Sequence, residues 1–265
     1  MSNGFYRVIE VARKRVMSDE NNHRVGKLRL ALKRISEWDE KYIIKFTPIL
    51  RDGEQYSEGA LKIKALHPSQ TYTENHIALT NSKLNEISTV LRVDYGKFPA
   101  LLLADIEGAG LTELLNFLKL NSKNTDFTAN IVKIPHHGAY PKNGKDLEDL
   151  LDLIDAELAV LSVGSNNPYG HVEPELFKAL IDLQQNGDRR LTKFICTEVT
   201  RACEYSASDR LKMGKSGLTL SKKCAGEITV IADLSGTWEL KTETAHLSQI
   251  ASCKYAACDG RGDLI

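Results

Sequence analysis

The sequence predicts an α/β domain with helices layered on a sheet (an α+β layered arrangement). Between residues 98 and 197, short apolar runs of strand length alternate with longer stretches whose leucines recur every three or four positions. The resulting order is strand, helix, strand, helix, strand, helix, strand, which is typical of layered α/β domains. A chain of 265 residues, 42% of them hydrophobic, is long enough to bury the core that such a domain requires.

The first part of the chain is basic. Residues 1–36 carry nine Lys and Arg against three Asp and Glu, so their local charge is +6 (nine minus three). Leu28, Leu32 and Ile35 recur at helical spacing and predict a helix with one apolar stripe. A solvated helical face and a nucleic-acid contact surface both explain the charges, and the solvated face is the commoner case.

The other elements follow from apolar alternation, helical stripes and turn residues. Before residue 98 the sequence predicts strands at Tyr42–Phe46 and Leu61–Leu66 with a turn at 51–53, a polar loop over 70–85, and a hairpin of Ser88–Tyr95 with Phe98–Ala104. Three helices follow: one striped by Leu111, Leu114, Leu115 and Leu118, one capped by Asp146, and one from Pro174 to Gly187. The strands that alternate with them are Asn130–Ile134, Glu157–Val163 and Lys193–Thr197. The tail from residue 201 has a single strand-like run, Glu227–Ala232, and predicts an irregular C-terminal extension.

The composition argues against several classes of protein. Basic and acidic residues number 35 each, so no whole-molecule cationic field favours nonspecific nucleic-acid binding. No apolar stretch reaches the length of a membrane span, and the start lacks a signal-peptide pattern. The five cysteines are an odd number with irregular spacing, which favours a reducing, cytoplasmic location.

Three apolar runs of the domain stop abruptly at polar residues. One ends at Asp105, the next ends at His136 and His137, and the third leads into the loop that carries His171. Side chains that follow neighbouring strands gather at one edge of a layered α/β sheet, where ligands bind. The sequence therefore predicts one pocket that these residues share.

Four segments together resemble the metallo-β-lactamase fold, and within it the hydrolases related to the ComEC competence protein. They are Asn85–Leu91, Leu101–Glu107, Ile134–Gly138, and Asn167–His171 followed by Pro174 and Glu175. The resemblance covers residues 55–200 and corresponds to the second half of an αββα sandwich, so the sandwich is incomplete here. It implies a basic helical segment over 1–54, the C-terminal half of the domain over 55–200, and a Cys-containing extension over 201–265.

This resemblance implies a metal-dependent hydrolase of nuclease or phosphodiesterase type that uses zinc or manganese. By position, Asp105 resembles the carboxylate that bridges two metal ions, and His136 resembles the last histidine ligand. A carboxylate and imidazoles suit these ions, and a metal pair activates water for attack on a phosphodiester. The other implied site residues are His137 and His171 for catalysis, and Asn85, Ser88 and His171 for substrate binding.

The main metal motif of that family, His-x-His-x-Asp-His, is absent from this sequence. Asp105 and one histidine supply fewer ligands than a catalytic zinc site needs, so the chain alone is expected to be inactive. Three explanations remain: a partner polypeptide supplies the missing half, the chain is a truncation or frameshift product, or the scaffold has lost its metal. A missing half also leaves apolar sheet surface exposed, which predicts either a protein partner or poor solubility.

Two other functions stay open. The chain fits a non-catalytic subunit that binds nucleic acid or protein, and it fits a hydrolase of small phosphorylated or ester substrates. The cysteines add one structural question, because four of them form a set that a structural zinc ion would suit. Their spacing lacks the paired Cys-x-x-Cys of a zinc ribbon, which favours buried free thiols instead. The four are Cys203, Cys224, Cys253 and Cys258.

Overall fold

The computed structural model describes residues 55–77, 85–122, 127–214 and 216–264. The predicted basic helix around Leu28, the strand Tyr42–Phe46 and the turn at 51–53 lie outside these residues.

A seven-stranded mixed sheet forms the centre of the molecule, and its strands lie side by side in chain order. The first four strands are antiparallel, and the last three run parallel to the fourth. This arrangement confirms the α/β class and the predicted hairpin. The strands are β1 (Gln55–Glu58), β2 (Leu61–His67), β3 (Val90–Tyr95), β4 (Phe98–Leu102), β5 (Ile131–Lys133), β6 (Leu158–Leu161) and β7 (Lys193–Cys196).

Three helices, α2, α3 and α4, contribute their apolar stripes to one core on one face of the sheet. They share that face because consecutive right-handed crossovers in one direction place every helix on the same side. Among the described residues, none of the helices is both long enough and apolar enough to cross a membrane. The helices are α1 (Gln70–Ile77), α2 (Gly108–Asn121), α3 (Gly144–Ile154), α4 (Pro174–Gln185), α5 (Arg201–Glu204), α6 (Ala207–Met213) and α7 (His246–Ser252).

A second hairpin, β8 (Ile228–Ala232) with β9 (Trp238–Thr242), packs on the opposite face of the sheet. This corrects the prediction of a single strand in the extension. The Trp238 indole Nε1 donates to Glu157 Oε2 at 3.0 Å, and the Trp238 ring lies 6.5 Å from the Phe98 ring. The hairpin also covers part of the apolar surface that the sequence predicted to be exposed.

The described residues cover this face only in part near its first strands. Register places Leu102 beside Leu91 and Leu91 beside Ala65, so these apolar side chains lie on the same face as the hairpin. Leu102 keeps 38% of its side-chain surface exposed and Tyr56 on β1 keeps 50%.

Two local predictions were wrong. Part of the predicted loop over 70–85 is helix α1, which begins after Ser69, whose hydroxyl accepts a hydrogen bond from Tyr72 N at 3.0 Å. Asp146 does not cap α3, because that helix begins at Gly144 after Asn143. The Asp146 carboxylate instead accepts from the Asn143 amide at 3.0 Å and from the Thr112 hydroxyl at 2.5 Å, so it joins α3 to α2.

Candidate functional site

The backbone after β4 and β5 adopts an uncommon conformation. Ala104, His136 and His137 have φ values of 49°, 46° and 54°, in the left-handed region that side chains with a Cβ rarely adopt. His136 N donates to Ala104 O at 3.0 Å, which joins the two loops. Residues held in this region cluster at functional sites. The loops that carry Asp105 and the histidine pair are therefore fixed against each other.

Asp105 lies beside His137. The His137 Nε2 atom is 3.7 Å from Asp105 Oδ1, and His137 Nδ1 lies 2.8 Å from the Ser162 carbonyl oxygen. A carbonyl oxygen only accepts, so Nδ1 carries the proton and donates to Ser162. In the neutral ring, Nε2 then carries the lone pair, and a metal-ligating histidine held by a backbone carbonyl has this tautomer.

His136 belongs to a second group, with Glu107 and Asn85. Its Nδ1 lies 3.1 Å from Glu107 Oε2, and the Asn85 amide donates to Glu107 Oε1 at 3.0 Å. The same amide lies 3.4 Å from His136 Nε2. His136 Nε2 thus has the Asn85 amide within hydrogen-bond distance, whereas the buried Nδ1 lies close to the Glu107 carboxylate without forming a hydrogen bond. The sequence analysis assigned no role to Glu107. Its position two residues after Asp105 could have indicated that it lies at the same site.

His171 adjoins this group from the loop that follows β6. Its ring centre is 5.8 Å from that of His136 and 5.6 Å from that of Tyr169, against which it stacks. Asn167 shapes the loop: its amide donates to Gly164 O at 2.7 Å and to His171 O at 3.1 Å, and its Oδ1 accepts from the backbone N of Tyr169 and of His171. The structure thus brings His171 next to the histidine pair.

Ser88 joins the site through its backbone. Its amide donates to Asn85 O at 3.1 Å, and its carbonyl lies 2.9 Å from His67 Nδ1. His67 is 1% exposed, and its other ring nitrogen is 3.0 Å from Glu113 Oε2. Ser88 therefore supports the segment that carries Asn85.

Lys133 is a cation that the sequence interpretation overlooked. Burial lowers the pKa of this amine, and attraction to the Asp105 carboxylate acts in the opposite direction. Its Nζ donates to Ile134 O at 3.3 Å. Asp105 thus has a partly desolvated positive charge on one side and an imidazole on the other.

The charged side chains do not complete a metal site. Within the part of the chain that the structure describes, no group of three or more His, Cys, Asp and Glu side chains is arranged to hold an ion. Asp105 and His137 make a pair, and a catalytic zinc ion needs three protein ligands. The expected zinc or manganese therefore does not fit the described residues on their own.

A cavity of about 730 Å³ lies next to His171, and Tyr169 forms part of its wall. Its lining combines basic and acidic side chains with one exposed aromatic ring, because Tyr169 is 60% exposed. Gly170 allows the wall to close: a Cβ there would lie 2.8 Å from Arg201 Cζ. The charged lining residues are Glu173, Glu175, Lys178, Arg201 and Arg210.

The chain is similar to ComE operon protein 3 of Bacillus subtilis (strain 168). The two are 27% identical over 96 residues, which is 36% of this chain and 11% of the relative. The chain thus spans about a tenth of the length of that relative. No protein-family model matches the chain, and no solved structure matches it.

The described site offers a defined set of chemical groups. It has a carboxylate, an imidazole with an outward lone pair, a second imidazole held by a carboxylate and an amide, and a third imidazole beside a cavity with basic side chains. Amide and imidazole groups are able to bind anionic oxygens, and imidazole is a common general acid or base in enzymes.

Proposed function

We propose that this chain is one subunit of a metal-dependent hydrolase of phosphodiesters in nucleic acid, built on the metallo-β-lactamase fold. The observation that carries the proposal is that His137 Nε2 lies 3.7 Å from Asp105 Oδ1 while its Nδ1 is held by the Ser162 carbonyl. The similarity to a competence operon protein supports nucleic acid as the substrate class.

In this proposal the chain supplies half of the site. Asp105 and His137 are the side chains that it contributes toward a metal ion, and a second polypeptide supplies the missing His-x-His-x-Asp-His ligands. His171 holds a phosphate oxygen, while Asn85, Glu107 and His136 fix the loop beside it. Pairing Asp105 with His137 replaces the assignment of His136 that the resemblance implied, since His137 is the imidazole beside Asp105 while His136 lies against Glu107 and Asn85.

The test compares cleavage of a fluorescent single-stranded DNA by this chain alone, by the product of the neighbouring reading frame alone, and by the two together, with zinc or manganese added. We expect cleavage only by the pair. Asp105→Asn or His137→Ala should reduce the rate by at least about a hundredfold, since each removes a ligand of the ion. Asp152→Asn is the matched control, because Asp152 pairs with Arg189 on the surface. Absence of both metal and cleavage in the pair would overturn the proposal.

A second candidate is a non-catalytic subunit that binds nucleic acid. It is favoured by the incomplete metal group and by the cavity in which Tyr169 stands among Lys178, Arg201 and Arg210. Aromatic rings beside basic side chains bind single strands by stacking and charge. Tyr169→Ala with Lys178→Ala should then weaken DNA binding and reduce its salt dependence, whereas Asp105→Asn should leave binding unchanged. Fluorescence anisotropy at several salt concentrations distinguishes the two candidates.

A further inference from the structure

The cavity beside His171 receives basic and aromatic side chains from three helices and from the loop that carries His171. Helix α4 contributes Lys178, α5 contributes Arg201 and α6 contributes Arg210, while the loop contributes Tyr169. The cavity volume of about 730 Å³ lies within the range of about 300–1,000 Å³ in which proteins commonly bind small molecules. A ligand of the size of one nucleotide fits such a volume.

Arg210 is a buried cation in the wall of this cavity. Only 5% of its surface is exposed, and its Nη1 donates to Tyr205 O at 2.9 Å. This is its one hydrogen bond within the part of the chain that the structure describes, and no carboxylate there forms an ion pair with it. A guanidinium has five N–H donors and stays charged in proteins. Since buried charges are normally paired, an anion in the cavity would supply a partner that the described residues do not.

Arg201 adds a second guanidinium to the same cavity. Its Nη1 donates to the backbone oxygens of two residues after α6, whereas its Nε is buried and has no hydrogen-bond partner among the described residues. Burial lowers the pKa of Arg210, and the nearby Arg201 charge lowers it further. The Asp263 and Glu175 carboxylates act in the opposite direction. Guanidinium groups bind phosphate through paired hydrogen bonds, so two of them beside one cavity suit a phosphate group.

The acidic side chains of the lining leave these cations available. Glu173 Oε2 accepts from Tyr140 N at 3.1 Å, and Glu175 is exposed on α4. Three basic and two acidic side chains give the lining one net positive charge. A neutral or cationic ligand would leave the Arg210 charge unpaired, so the lining favours an anion.

Tyr169 offers an aromatic surface at the same cavity. One face of its ring stacks on His171, with ring centres 5.6 Å apart and an angle of 16° between the ring planes. The residue keeps 60% of its surface exposed, so the other face of the ring is accessible to a ligand. Aromatic rings bind nucleobases by stacking and tolerate any base. A base on Tyr169 would therefore lie one ring away from His171.

The burial of each group indicates which part of a strand enters the cavity. Arg210 is almost fully buried and Tyr169 is exposed, so the cation lies on the inner wall and the ring lies at the mouth. An internal phosphate of a strand carries a nucleotide on both sides. A terminal phosphate carries one nucleotide, and it reaches a buried cation without bringing a second nucleotide with it. Its charge of about −1.5 to −2 at pH 7 also exceeds that of an internal phosphate.

We propose that this cavity binds the phosphorylated terminal nucleotide of a single nucleic-acid strand, with the phosphate at Arg201 and Arg210 and the base on Tyr169. The inference deepens the proposed function and rests on it for the identity of the ligand. With the base on Tyr169, the next phosphate of the strand lies toward His171, where the proposed function places the cleaved bond. A hydrolase that holds a strand in this way removes nucleotides from its end.

The experiment measures binding to the wild-type full chain by titration calorimetry, with no metal and no partner polypeptide. The probes are deoxyadenosine, its 5′-monophosphate, its 3′-monophosphate and inorganic phosphate. We expect at least one monophosphate to bind about tenfold or more tighter than deoxyadenosine, because its phosphate forms charge-assisted hydrogen bonds. The same monophosphate should bind about fivefold or more tighter than inorganic phosphate, because its base stacks.

Two substitutions locate the bound monophosphate. Arg201→Gln should weaken its binding by about tenfold or more, and Tyr169→Leu should weaken it by about fivefold or more. Arg189→Gln is the matched control for the first, because Arg189 pairs with Asp152 on the surface. Tyr56→Leu is the control for the second, since Tyr56 is 50% exposed on β1. Both controls should bind the monophosphate as the wild type does.

The proposal is overturned if the wild-type chain binds neither monophosphate more tightly than deoxyadenosine, or binds inorganic phosphate as tightly as the better monophosphate. These comparisons use the wild-type chain, so they decide the matter even where Arg201→Gln fails to fold. Its failure is distinct from that of the proposed function. Binding of a monophosphate without cleavage by the two polypeptides together would retain this site and reject the hydrolase, and cleavage without such binding would do the reverse.

Discussion

Ala104 carries a measurable backbone strain, because a Cβ in the left-handed region costs about 1–2 kcal/mol. Ala104→Gly removes that strain and adds some entropy cost, so we expect the free energy of unfolding to rise by up to about 1 kcal/mol. Ala100→Gly, in the middle of β4, should instead lower it by about 0.5–1 kcal/mol. Urea unfolding of both variants checks the contrast. Equal destabilisation would show that the Ala104 backbone is not held in this conformation.

At the scale of single residues, the sequence predicted where the site residues lie but not which of them contact each other. Asp105, His136, His137 and His171 gather at one edge, because their strands are neighbours and stop at the same level. Which histidine faces Asp105 depends on two successive left-handed residues, and residue types do not reveal such backbone angles. The role of Glu107 depends on the same geometry.

The loop after β6 is an element whose form depends on one side chain. Asn167→Ala removes its hydrogen bonds to Gly164, Tyr169 and His171, and we expect a loss of about 1–2 kcal/mol. Amide hydrogen exchange at His171 should also become faster. Asn166→Ala is the control, since that exposed side chain donates to Thr219 O at 3.3 Å and makes no hydrogen bond to another described residue of the loop. Equal amide exchange rates at His171 in the two variants would show that Asn167 does not hold the loop in place.

The hairpin β8–β9 is joined to the sheet by the bond from Trp238 to Glu157. Burial raises the pKa of Glu157, but hydrogen bonds from Trp238, Asn130 and Arg190 outweigh it and hold the pKa below its usual value. Ionised Glu157 therefore stabilises the folded state at pH 7. This stabilisation is lost as the pH falls below about 4.5 and through the pKa that Glu157 has in the folded state.

Trp238→Phe keeps an aromatic ring and removes the donor, so we expect about 1–2 kcal/mol less stability at pH 7. The difference from the wild type should shrink at acid pH, where Glu157 is protonated. A double-mutant cycle with Glu157→Gln, followed by denaturant unfolding at pH 7 and at a pH well below 4.5, measures the coupling. A coupling that does not change with pH would contradict this account.

The long helices with periodic apolar residues could be predicted from the sequence. The short elements, whose formation depends on contacts with other side chains, could not. Helices α2, α3 and α4 have apolar stripes that fix their positions. Helix α1 is polar, and its start depends on the Ser69 hydroxyl. Strand β9 alternates like β8, but it follows a turn in which Asp233 accepts from the backbone N of Ser235 and Thr237. In the sequence this turn is marked by turn-forming residues alone, namely Asp233, Ser235 and Gly236.

On the scale of the whole molecule, helices cover one face of the sheet, and the hairpin covers part of the other face within residues 55–264 as far as the structure describes them. The parallel half of the sheet carries the candidate site, and the antiparallel half carries exposed apolar residues. A second polypeptide that completes the site would also have an apolar surface to cover. Catalysis and assembly would then both depend on that second polypeptide.

Leu102→Glu tests that connection. A carboxylate on the partly exposed face should weaken association with the partner polypeptide by about tenfold or more, because burying an unpaired charge costs well over about 1.4 kcal/mol. Stability of the isolated chain should change by less than about 0.5 kcal/mol, since the side chain already contacts water. Leu120→Glu is the control, because Leu120 is 81% exposed and lies on α2, on the helical side. Association is measured by titration calorimetry, and equal binding by the wild type and both variants would exclude this face as the partner surface.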